Sequence, residues 1–185
     1  MSRILKTTII AAFLAPTIAF SDDISDTLES ALAAYNEGDI QYALEELEYA
    51  KQLLQSMKTA DLAKFLPEAP AGWTREVSTE MNAGLAMLGG GAGAEATYSN
   101  ADGNFTITIM VDNPMIGALS GMLANAGVMG IKLERVGRMK YLNQDGELSG
   151  MVDGRILIQA KGASSEIMLP VLETIDQREL RKFGS

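Results

Sequence analysis

Four carboxylates, Asp112, Asp153, Glu166 and Asp176, fall where strands or helices are expected to end. Two such groups on facing walls of a cleft are what a glycosidase-type acid/base hydrolysis requires. No spacing in the chain pairs them, and carboxylates at these positions also cap helices and make turns. Methionine is the second source of chemistry, with 11 in the chain. Thioethers are soft ligands suited to Cu(I), and equally common fillers of irregular cores. Met81/Met87 and Met115/Met122 flank helical segments, Met129, Met139 and Met151 are scattered, and no Met-x-Met or Met-x-x-Met cluster occurs. The run Leu88-Gly89-Gly90-Gly91-Ala92-Gly93-Ala94 could bring backbone N–H groups close to a phosphate. It lacks the Gly-Lys-Ser/Thr ending of a P-loop and the spacing of a dinucleotide fingerprint, so it reads as a connection. The turns Asn100–Asn104 and Asn143–Glu147 set oxygen ligands at alternate positions, but without the sixth-position Gly and distal Glu of a calcium loop; they read as hairpin turns.

Composition removes much of the remaining chemistry. The 185 residues contain neither Cys nor His, which excludes disulfides, thiol nucleophiles, Cys/His zinc sites and any triad built on an imidazole base. A net charge of −9 argues against nucleic acid, whose affinity rests on Lys and Arg neutralising phosphates. No cofactor and no metal site is expected.

The N-terminus carries a targeting pattern. Arg3 and Lys6 precede the uncharged run Thr7–Ala19, in which Pro16 breaks the helix ahead of small residues. This is the pattern of a cleaved secretory leader. Cleavage after Ser21 places Ala19 at −3 and Ser21 at −1; cleavage after Ala19 is the alternative. The apolar run is shorter than the roughly 20 residues of a membrane span. The expected mature chain, residues 22–185, carries a charge of −11, since Arg3 and Lys6 leave with the leader. An acidic, cysteine-free exported chain fits a bacterial periplasm.

The elements that must position any site fall into two parts. Residues 22–66 are rich in Ala, Leu and Glu with helical periodicity; 67–72 form a Pro-rich linker around Pro67 and Pro70; 73–185 alternate with period two. In the first part Ser25 or Asp26 is expected to cap a helix whose packed face is Leu28, Ala31, Leu32 and Tyr35. Asn36-Glu37-Gly38 stops it, and Asp39 caps a second helix with the stripe Ala43, Leu47, Ala50 and Leu54. The run Ala31, Tyr35, Gly38-Asp39-Ile40, Ala43, Leu44, Leu47 and Ala50 resembles a single tetratricopeptide-type unit, which implies an antiparallel helical hairpin.

In the second part, strands are expected over Trp73–Thr79, Ala94–Asn100, Phe105–Val111, Glu147–Val152 and Arg155–Lys161. A longer one, Lys132–Leu142, is broken at Gly137. Three Asp-Gly dipeptides make the turns of an antiparallel meander. Asn113-Pro114 opens a helix running to Ala126, with Asn113 or Asp112 as its cap. Ser164 or Ser165 opens a last helix with Ile167, Leu169, Leu172 and Ile175 on its apolar face. The fold class is α+β, a helical hairpin followed by an antiparallel β-sheet/α sandwich, and the element order resembles the small sandwich domains of the PsbP type.

These features lead to a non-catalytic exported protein that binds an envelope protein partner, with Tyr42 and Tyr49, seven residues apart on the second helix, as the contact surface. Direct membrane contact is not expected, because the glycine-rich run is short and weakly amphipathic on an acidic chain. A Met-based Cu(I)-binding periplasmic protein and a carboxylate-dependent envelope hydrolase are the alternatives. Mass spectrometry of the exported protein is expected to show a chain that starts at Asp22; an exported chain still carrying Met1 overturns the leader.

Overall fold

The computed structural model describes residues 19–78, 85 and 90–184. The apolar run of the expected leader and Met81 and Met87 of the methionine set lie outside the described residues. The chain is mixed α+β, two helices followed by a seven-stranded antiparallel sheet with further helices, and it divides into two compact units, residues 1–53 and 54–185.

Helix α1 spans Ala19–Glu37 and α2 spans Ile40–Ala63. The chain leaves α1 through a Schellman turn. Gly38 takes φ +85°, its N–H donates to Tyr35 O, and Asp39 N–H donates to Ala34 O. Asp39 then caps α2, its Oδ1 accepting from Tyr42 N–H at 3.1 Å. The expected start of α1 is corrected. Ser25 and Asp26 lie inside a helix already running from Ala19, and Ser21 lies in its first turn. The packed face is corrected as well. The buried stripe is Ile24, Thr27, Ala31 and Ala34 on α1, with Ala43 and Ala50 on α2, whereas Leu28, Leu32, Tyr35, Leu47 and Leu54 are exposed. Small side chains allow close approach of backbones, so the alanines rather than the leucines sit inside.

The second unit is built on strands β1 (Thr74–Ser78), β2 (Ala92–Asn100), β3 (Gly103–Val111), β4 (Lys132–Val136), β5 (Met139–Gln144), β6 (Glu147–Val152) and β7 (Ile156–Lys161). Their spatial order is β1-β2-β3-β7-β6-β5-β4. Gly137, at φ +58°, does more than interrupt the expected strand Lys132–Leu142; the chain reverses there and the two halves pair with each other. Asp145-Gly146 and Asp153-Gly154 both have positive φ at each position, the type I′ geometry whose twist suits a two-residue hairpin. In the turn after β2, Asn100 Oδ1 accepts from the N–H groups of Asp102 and Gly103.

One sheet face carries the core. Ala94, Ala96 and Tyr98 oppose Ile109, Ile107 and Phe105, and these in turn meet Ile158, Ala160, Leu148, Val152 and Tyr141. Leu62 and Leu66 from the end of α2, Met168, Val171 and Leu172 from α4 (Ser165–Glu173), Ile175, and Leu180 from α5 (Gln177–Lys182) belong to the same cluster. The buried face of the last helices is therefore Met168, Val171, Leu172 and Ile175, and Ile167 is exposed. Asp176 caps α5, its Oδ1 accepting from the N–H groups of Arg178 and Glu179 at 3.0 Å. The ring of Tyr141 lies over its cross-strand partner Gly150, where an added Cβ would come within 2.6 Å of it. Tyr98 stacks on Phe105 with centroids 4.7 Å apart, and Trp73 meets Phe105 edge-on.

The opposite face is polar along one row. Glu95, Thr108, Gln159 and Ser149 are successive cross-strand partners, and Thr108 Oγ1 donates to Glu95 while Gln159 Nε2 donates to Glu147. Helix α3 (Met115–Asn125) reaches this side of the sheet through Ser120, whose hydroxyl donates to Met151 Sδ at 2.8 Å. Its N-cap position is Pro114, with helical backbone angles, in place of the expected Asn113 or Asp112.

The proline segment is tied to the sheet by Tyr98, whose buried hydroxyl donates to Pro67 O at 2.6 Å. Burial pushes the Tyr98 phenol up from 10.0 to about 12. Tyr98 therefore holds its proton more tightly folded than unfolded; its stabilisation is complete below pH 10 and is lost as the pH rises towards 12. The melting temperature is expected to fall above about pH 10, and to fall less in Tyr98→Phe, which at neutral pH costs about 1–3 kcal/mol by leaving Pro67 O unpaired. An equal alkaline fall in the variant would contradict this.

Candidate functional site

The most unusual surface is that of the two helices. Residues 22–53 hold nine Asp and Glu against one cation, Lys51, which pairs with Glu48 at 3.2 Å. The same stretch exposes Leu28, Leu32, Tyr35, Ile40, Tyr42, Leu44, Leu47 and Tyr49. The alanine stripe has taken the buried positions, and the bulky residues are consequently turned outward. Tyr35 is 64% exposed, Leu32 61%, Tyr49 53% and Tyr42 46%. Tyr42 accepts a hydrogen bond from Ser30 Oγ at 3.4 Å, which links α2 to α1 while leaving the ring accessible. The surface thus combines large exposed apolar side chains with a strong excess of carboxylates.

The four carboxylates singled out in the sequence occupy separate settings. Asp112, with φ +55°, ends β3 and accepts from Lys58 at 2.6 Å, while Arg155 lies 3.7 Å from its other oxygen. Asp153 sits in the β6–β7 turn, 3.6 Å from Arg181. Glu166 lies in the first turn of α4, and Asp176 is the cap of α5. Asp153 lines the cleft beside Arg138 and Lys140; Asp176 lines another, formed with Phe65, Pro67 and Pro170. Two carboxylates that sequence reasoning missed, Glu95 and Glu147, share the polar row of the sheet, each hydrogen-bonded to a neighbour in it. Their alternation with buried Ala94, Ala96 and Leu148 is the signal that could have placed them there.

Among the described residues the methionines are dispersed. Met139 and Met168 are buried in the core, Met129 is exposed, and the sulfurs of Met139 and Met151 accept hydrogen bonds from Tyr141 and Ser120. The described part of the glycine-rich run has a conformational role. Gly91 takes φ +105°, and a Cβ there would lie 2.6 Å from Val111 O. Gly90 O accepts from Asn113 Nδ2 at 2.8 Å.

No family model, curated protein or solved structure matches the chain. If Tyr42 and Tyr49 serve a surface rather than packing, Tyr42→Ala/Tyr49→Ala should keep the melting temperature within about 2 °C, since exposed substitutions lie within about 0.5 kcal/mol. A fall of more than about 5 °C in thermal unfolding followed by circular dichroism would return the rings to packing.

Proposed function

We propose that this chain is an exported, periplasmic, non-catalytic binding or accessory protein that acts through protein–protein contacts made by α1 and α2. The observation that carries the reading is the exposure of Leu32, Tyr35, Tyr42 and Tyr49 on helices bordered by nine carboxylates. Aromatic side chains that lose water on contact are the usual anchors of an interface. In this reading the two helices act as a single tetratricopeptide-like hairpin, and the sheet with its helices is a sandwich domain that carries it. The acidic border selects a partner segment whose apolar face is flanked by Lys or Arg, as when an amphipathic helix docks in a groove. The secretory pattern of residues 1–21 supports the periplasmic setting.

The test is crosslinking and affinity capture from envelope extracts with the full chain, followed by the same capture with Tyr42→Ala/Tyr49→Ala. We expect one specific partner whose recovery falls about tenfold or more in the variant, the loss of two aromatic anchors of about 1 kcal/mol or more each. An unchanged partner list removes the helices from the function.

A further inference from the structure

Cations are distributed unevenly over this acidic chain, and one cleft collects them. It has a volume of about 360 Å³ and opens at the end of the sheet where the β4–β5 and β6–β7 turns meet α3 and α5. Arg138 and Lys140 enter it from the β4–β5 turn and the start of β5, and Arg181 from α5. Asp153 is the one carboxylate in its wall, and it lies 3.6 Å from Arg181 Nε in a half-exposed pair of the kind that contributes little. The side chains of Arg138 and Lys140 make no hydrogen bond or ion pair with a described residue.

Two carboxylates on the same elements, β4 and α5, do not line the cleft and have cations of their own. Glu134 pairs with Lys132 at 2.6 Å, and Glu179 with Lys182 at 2.7 Å. Among the described residues the cleft therefore holds three cations against the single carboxylate of Asp153, on a chain of net charge −9. Lys140 also has a like charge opposite it, outside the cleft. Arg135 and Lys140 are direct cross-strand partners of the β4–β5 hairpin, an arrangement of like charges that costs stability. The other wall of the cleft is apolar, with Leu123 and with Met151 held by Ser120.

We propose that this cleft binds a phosphate ester. The anion would sit between Arg138, Lys140 and Arg181, and the apolar remainder of the molecule against Leu123 and Met151. The guanidinium forks match phosphate oxygens in pairs, and Lys140 supplies a point charge. Asp153 keeps Arg181 at the cleft when no anion is bound. The same chemistry is offered by a free alkyl or aryl phosphate and by a phospholipid headgroup. This site lies wholly within residues 54–185 and is independent of the helix surface above.

The experiment uses the full chain and three probes: inorganic phosphate, hexyl phosphate, and phosphatidylcholine vesicles with and without phosphatidylglycerol. Calorimetry or amide-shift titration is repeated with Arg138→Gln, Arg181→Gln and, outside the cleft, Arg178→Gln. We expect hexyl phosphate to bind more tightly than inorganic phosphate, with affinity about tenfold or more weaker in Arg138→Gln and Arg181→Gln and unchanged in Arg178→Gln. The same dependence seen only with phosphatidylglycerol vesicles assigns the ester to a lipid headgroup. Absence of binding to every probe, or equal weakening in Arg178→Gln, overturns the proposal. All three substitutions fall on surface side chains, and matching melting curves confirm that a loss of binding is not a loss of fold.

Discussion

The second unit depends on one ladder. Strands β1 to β3 form one antiparallel meander and β4 to β7 another, and they join through β3 and β7. Along that seam Ile107, Ile109 and Val111 face Ala160, Ile158 and Ile156, all fully buried. The two partners lie far apart in sequence, with α3 and three strands between them. Closing that loop costs chain entropy before any contact compensates it. The concentration of β-branched residues on these two strands is where the return is largest. Helices α4 and α5 and the end of α2 then cover the same face, and the sheet end that carries Asp112, Asp153 and the cationic cleft takes its geometry from this seam.

Local chemistry made much of this legible. The Asp-Gly dipeptides at 145–146 and 153–154 mark type I′ turns because Asp and Gly tolerate positive φ, and both turns occur. Gly38 and Asp39 mark a helix stop and a helix start, and the hydrogen bonds of both are formed. Alternation located β3, β6 and β7 to within a residue or two. What failed were choices that local pattern does not make. Leucine and alanine both count as apolar on a helical wheel, and only the distance of approach between backbones decides which is inside. That is why Ala31, Ala34, Ala43 and Ala50 are buried and Leu32 and Leu47 are not. Lys132–Leu142 contains no Asp-Gly or Asn-Gly signal, so a hairpin turning at Gly137 reads as a single broken strand.

The proposed surfaces were less legible, for a related reason. Tyr42 and Tyr49 stand out by their spacing, but the exposure of Leu32 and Tyr35 follows from which stripe is buried. Arg138, Lys140 and Arg181 come from a turn, a strand and the last helix, and no linear spacing unites them. The carboxylates with the clearest sequence positions are held by structural partners, Asp112 by Lys58 and Asp176 by the N–H groups of α5. Chemistry-bearing residue types thus sort by neighbour, which is a property of the fold.

Among the described residues, the order of the strands leaves β1 and β4 with one unpaired edge each. Such an edge invites a strand from another molecule and, with it, fibrillar growth. Strand β4 carries Lys132, Glu134 and Arg135 within five residues, all with charged ends that a stacking neighbour would have to desolvate. The charged side chains of β4 disfavour the addition of a further strand there, which matters most for a chain with no disulfide to lock its edge in place.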